Sequence, residues 1–194
     1  EILKGNQSSV YGSGAIGGTI NIFTKNAEKG FHKNFEYNTG SYGTHNAIAS
    51  LSGANEKNNF YFGIERFQTD GISAMTHNDE KDRYRNNSLI AKYDYIFSNK
   101  LKFKSNLRFA ETYLQYDKEV DTASATHDEE VDGIESSSNV SLIYEMNNKF
   151  TNKITLAKTY IKRIYAATEN SGNALQDNYY GDRYSYTYMG DYNF

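Results

Sequence analysis

Apolar and polar residues alternate with period two along most of the chain, and the alternation is sharpest between Lys100 and Ala110. There Leu101, Phe103, Leu107 and Phe109 share one face, Lys102, Lys104, Asn106 and Arg108 share the other, and Ser105 alone interrupts the apolar set. Successive side chains of a strand point to opposite faces, whereas a helix would scatter these residues around its circumference, so the pattern predicts a strand with one greasy and one cationic face. The same grammar gives Phe31, Phe35 and Tyr37; Ala47, Ala49 and Leu51; Phe60, Phe62 and Ile64; Leu89, Ala91, Tyr93, Tyr95 and Phe97; Val140, Leu142, Tyr144 and Met146; and Tyr184, Tyr186, Tyr188 and Tyr192. An eighth strand belongs around Asn152 to Tyr165, but Ile154 and Leu156 are out of phase with Ile161 and Tyr165. A β-bulge is expected to reconcile the two halves.

The connections between these strands alternate in length. Asn55 to Asn59, Ser98 to Asn99 and Asn147 to Lys149 are short; Gln68 to Asn86, Asp117 to Ser137 and Ala167 to Arg183 are long; Gly40 to Thr44 breaks the rule. Transmembrane β-barrels have short turns at one end and long loops at the other. The expected fold class is therefore all-β, an antiparallel transmembrane barrel or part of one, with the long group facing the exterior.

Composition narrows the alternatives. The 194 residues include 18 Tyr and 11 Phe but no Cys, Pro or Trp, with a formal net charge of −3 and a mean hydropathy of −0.78. No apolar run approaches the ~20 residues of a spanning helix, and no basic-then-apolar signal sequence opens the chain. A barrel remains compatible, because its strands are apolar on alternate residues only and its lumen and loops are polar. Without cysteine there is no disulfide framework or thiolate chemistry. Lys and Arg form no dense run, so nucleic acid is not an expected partner.

The first 25 residues differ in kind. Gly12, Gly14 and Gly17 match the GxGxxG spacing of a dinucleotide-binding turn, but that motif needs a strand before the glycines and a helix after them. Thr19, Ile20, Ile22 and Phe23 follow instead and favour a strand. The run from Ile2 to Lys25, with Leu3-Lys-Gly5, Ser9-Val-Tyr-Gly12, Ala15-Ile-Gly-Gly18 and Asn21-Ile-Phe-Thr-Lys25, resembles the end of the plug domain of TonB-dependent outer-membrane receptors. Asn6 stands where that family usually has proline, a mild change because both residues favour turns. The resemblance implies a plug end over residues 1–28, marked by Gly5, Tyr11, Gly12, Gly14, Gly17, Gly18 and Asn21, and the start of a barrel over residues 29–194. About eight strands are too few for a receptor barrel of about 22, so the chain is expected to be a fragment of one.

Candidate chemistry is acidic. Asp117, Glu119, Asp121, Asp128, Glu129, Glu130, Asp132 and Glu135 crowd one expected loop, and Asp70, Asp79, Glu80 and Asp82 another. Such oxygen ligands suit Ca²⁺, and Asp128-x-Glu130-x-Asp132-Gly133 echoes an EF-hand start, although its twelfth position is Asn139. The candidate calcium ligands are Asp70, Asp79, Asp82, Asp117, Asp121, Asp128, Glu130 and Asp132, weighed against a solvated acidic loop. Some cobalamin receptors of the resembled family order early exterior loops with calcium, and Phe67-Gln-Thr-Asp-Gly71 adds to that likeness. His32, His45, His77 and His127 are isolated, and Ser8, Ser9 and Ser13 sit in no GxSxG elbow. No catalytic residue is expected.

The resemblance implies a receptor in the outer membrane of a Gram-negative bacterium that takes up a scarce, bulky nutrient. Cobalamin is favoured, with ferric siderophores and haem next. Its partners would be the lipid bilayer and a TonB-type energising complex, whose contact segment would precede Glu1. No cofactor is required, and Ca²⁺ is the one candidate. The ligand-binding residues are not assigned. A soluble all-β adhesin or carbohydrate-binding module with calcium-binding loops is the alternative, and a passive porin a third that leaves the plug-like leader without a role.

Overall fold

The computed structural model describes residues 1–8, 14–20, 27–73, 81–117, 128–168 and 174–193. Every described element is a β-strand. Two short strands, β1 (Ile2–Lys4) and β2 (Gly18–Ile20), pair antiparallel. Eight longer ones form a second sheet: β3 (Gly30–Gly40), β4 (Thr44–Ala54), β5 (Asn58–Thr69), β6 (Tyr84–Ser98), β7 (Leu101–Asp117), β8 (Asp128–Glu145), β9 (Phe150–Thr168) and β10 (Ala174–Tyr192). Each pairs antiparallel with its neighbours in sequence, so the sheet is a meander whose edges are β3 and β10. It is not closed.

The seven alternating sets read from the sequence lie on strands, save Met146, which follows the end of β8. The registers also put their apolar members on one face of the sheet. One hydrogen-bonded row runs Phe31, Gly53, Phe60, Tyr93, Ser105, Val140, Leu156 and Tyr186; the next runs Lys33, Leu51, Phe62, Ala91, Leu107, Ser138, Lys158 and Tyr184. Phe35, Phe62, Ile64, Leu107, Leu142, Leu156 and Tyr186 on this face are all exposed, so none of the described residues covers it. The opposite face is polar. On it Lys102 Nζ lies 2.6 Å from Glu145 Oε1 and Lys104 Nζ lies 3.7 Å from Asp94 Oδ2, while Ser141 shares a hydrogen bond with Thr155.

The apolar band runs obliquely to these rows. On β3 it covers Phe31 to Tyr37, but on β10 it covers Tyr184 to Tyr192, displaced by roughly five residues from the positions the ladder would align.

Two sequence expectations need correction. The eighth strand has no bulge, since β9 pairs without a register shift on both sides. Ile161 and Tyr165 simply occupy the other face from Ile154 and Leu156. The expected loops after Asp117 and Ala167 are also shorter, because β8 begins at Asp128 and β10 at Ala174. Polar strand extensions keep their ladder bonds and need no apolar covering. The short connections 55–57, 99–100 and 146–149 join strands at one end, and 70–83, 118–127 and 169–173 at the other, with the three-residue 41–43 remaining the exception at that end.

In the two-stranded sheet, Gly5 N–H donates to Gly17 O at 3.3 Å and Gln7 N–H to Ala15 O at 2.9 Å. Gly18 has φ 145°, and a Cβ there would stand 2.6 Å from the Leu3 carbonyl oxygen. The glycine-rich stretch thus leads into a strand, against a dinucleotide turn.

Candidate ligand-binding cleft

Strand lengths rise from 11 residues in β3 and β4 to 17 in β7, 18 in β8 and 19 in β9 and β10. The later strands are thus six to eight residues longer than β3 and β4, and measured from the apolar band the extra length lies at the long-loop end. There the polar face folds into a cleft of about 740 Å³. That volume falls within the ~300–1,000 Å³ of small-molecule sites.

Alternation places the lining. Tyr116 of β7, Glu129 of β8, Ile161, Arg163 and Tyr165 of β9, and Asp177, Tyr179 and Gly181 of β10 all belong to the face opposite the apolar band. The Tyr165 and Tyr179 rings meet edge to face, 5.5 Å apart and 86° inclined. Arg163 Nη2 lies 3.2 Å from Glu135 Oε1, whose other oxygen is 3.9 Å from Arg108 Nη1. The Glu135 bond, and after it Tyr165, hold the Arg163 guanidinium charged above its already high pKa. Hydrogen bonding to Glu129, then partial burial, push the Tyr116 phenol up to about 12. Both phenol and guanidinium are therefore donors at any physiological pH.

Of these residues the sequence points only to Glu129 and Glu135, as members of the acidic cluster; Asp177, Tyr179 and Gly181 fall in an expected loop, and Tyr116, Ile161, Arg163 and Tyr165 carry no site signal of their own. One signal was available. The phase change in β9 is where the strand leaves the apolar band and turns its apolar side, Ile161 and Tyr165, to the cleft.

The candidate calcium ligands are dispersed. Asp70 ion-pairs with Lys81 at 3.4 Å, and its backbone N–H donates to Tyr42 O at 2.9 Å. Asp117 Oδ2 accepts from Ser73 Oγ at 3.4 Å, so the segment after β5 does meet the end of β7. Asp82 closes over Gly71, whose φ is 68° and where a Cβ would overlap the Asp82 carbonyl oxygen. Glu130 accepts from Tyr113 at 2.6 Å and Gln115 at 3.1 Å. Asp132 and Glu130 lie two residues apart on an extended strand, which spaces their carboxylates along a ladder instead of wrapping them round an ion. Asp79, Asp121 and the Asp128 side chain lie outside the described residues, as do Tyr11, Gly12 and Asn21 of the plug-like motif. Among the described residues no group of three or more His, Cys, Asp or Glu is placed to hold a metal ion, and no helix is long and apolar enough to cross a membrane.

No protein-family model matches the chain, and no curated protein matches it.

Proposed function

We propose that this chain is the plug end and first barrel strands of a TonB-dependent outer-membrane receptor. The observation that carries the reading is the exposed apolar band, held in phase across eight consecutive strands and backed by a polar face. A sheet with this pattern needs lipid on one side and an aqueous or protein-filled lumen on the other. In a soluble sandwich the band would need a second sheet as its cover. Supporting it are the loop segregation, the oblique strands and the glycine-rich leader.

In this reading the two edges, β3 and β10, pair with further strands of a barrel of about 22, because lipid does not tolerate open edges. The leader closes the lumen from within, and an energised inner-membrane partner acts on plug sequence preceding Glu1. The cargo is a scarce, bulky nutrient. Cobalamin comes first on the acidic exterior segments, followed by ferric siderophores and haem.

Fractionation of cells expressing the complete protein tests this. The protein is expected in the outer-membrane fraction, with electrophoretic mobility that changes on heating and uptake lost when the energising complex is deleted. Recovery in the aqueous phase on detergent extraction, with unchanged mobility, would favour the soluble adhesin. Conductance and uptake independent of the energising complex would favour a porin.

A further inference from the structure

The cleft of β7–β10 lies beyond the apolar band, where its chemistry is available to a ligand from solvent. We propose that it binds a saccharide. This goes beyond the transport reading and does not depend on it, since the cleft is built by these four strands whatever surrounds them.

Ring chemistry comes first. Tyr165 and Tyr179 form a right-angled aromatic corner, and Tyr179 remains 58% exposed although its ring is a large apolar surface. Beside it Gly181 has no atom within 4 Å of where a Cβ would stand, leaving open backbone next to Ile161. An aromatic wall with a flat, unobstructed floor fits the C–H face of a sugar ring.

Charge then excludes the main competitors. Arg163, the one cation among the described lining residues, is already paired with Glu135. Glu129 and Asp177 oppose anions, so phosphates, catecholates and polycarboxylates are disfavoured. A bare cation finds no group of three or more carboxylates placed to hold it among the described residues. An uncharged ligand with hydroxyls around its edge uses both sides of this set, donating to the two carboxylates and to the Tyr116 phenol oxygen, whose own proton goes to Glu129, and accepting from the remaining guanidinium N–H groups. The volume equals roughly 25 water molecules at ~30 Å³ each, space for a short oligosaccharide.

The complete protein in detergent, applied to a printed glycan array and then titrated calorimetrically with the best di- or trisaccharide, tests the assignment. Saturable binding is expected, weakened about tenfold by Tyr179→Ala. Tyr179→Phe should keep the stacking and most of the affinity, and Asp177→Asn should weaken binding without altering heat-modifiable mobility. Tyr179 and Asp177 are exposed, so mobility separates a lost contact from a lost fold. An array with no signal overturns the proposal, as does glycan binding indifferent to Tyr179→Ala and Asp177→Asn. Failure to fractionate with the outer membrane while glycan binding persists would instead remove the transport reading and leave this one standing.

Discussion

Phe31 and Phe60 meet over Gly53, their ring centroids 6.2 Å apart although they come from strands separated by β4. Glycine leaves a notch in the apolar face, and the two rings close it from either side, an aromatic rescue of a strand glycine. A Cβ at Gly53 would stand 2.7 Å from the Gly30 carbonyl oxygen and 2.9 Å from Phe60 Cε1. Gly53→Ala should therefore force a backbone shift and cost about 1–3 kcal/mol. The urea midpoint of the complete protein in lipid vesicles reads this, and an unchanged midpoint would contradict the packing described.

The two faces of β8 and β10 should respond oppositely to charge. Leu142 sits within the apolar band, so Leu142→Arg is expected to cost about 2–4 kcal/mol if lipid lies against it. Ser185→Lys on the polar face should change stability by less than about 0.5 kcal/mol. Assembly yield, measured by the heat-modifiable fraction, compares the two, and equal effects would argue against a lipid-facing band.

Above the band, partial burial and then the 2.6 Å bond to Glu130 push the Tyr113 phenol from its ordinary value near 10 up to about 12. Folding thus holds this proton more tightly than the unfolded chain does. Its contribution to stability is intact below pH 10 and declines as pH rises from 10 through 12. Glu130→Gln removes the charge and should bring the ionisation back toward 10. Phenolate difference absorbance, with Tyr113→Phe as the blank, follows that shift; a titration unaffected by Glu130→Gln would remove Glu130 as a cause.

Gly18 offers a test of the glycine-rich leader. Its φ of 145° and the near contact with the Leu3 carbonyl oxygen admit no side chain without movement. Gly18→Ala should open the β1–β2 pair and expose the leader to limited proteolysis, while β3–β10 remain resistant. Equal resistance in variant and parent would show the pairing to be dispensable.

The strand interiors were legible because lipid-facing or core-facing alternation has a period of two, and Leu101 to Phe109 carried it almost without interruption. Where strands pass beyond the apolar band, that signal stops. Glu129 to Ser137 reads as an acidic loop by composition, yet it is ladder-paired to β7 and β9. Hydrogen bonding to a neighbouring strand leaves no hydrophobic trace in sequence. The cleft was hidden for the same reason: Tyr116, Arg163, Asp177 and Tyr179 converge through register between four strands, which no local window contains. The in-phase Ile154 and Leu156 against Ile161 and Tyr165 were the visible edge of it, and a bulge was the wrong remedy.

The progressive lengthening of the strands from β3 to β10 has a consequence for how anything approaches from outside. At about 3.4 Å per residue, eight extra residues raise one side by roughly 27 Å along the strand. The rim is therefore a one-sided parapet, low at β3 and β4 and tall at β9 and β10. In the receptor reading proposed above, a molecule diffusing in across the low side would meet the tall wall first, and this parapet would act as a backstop.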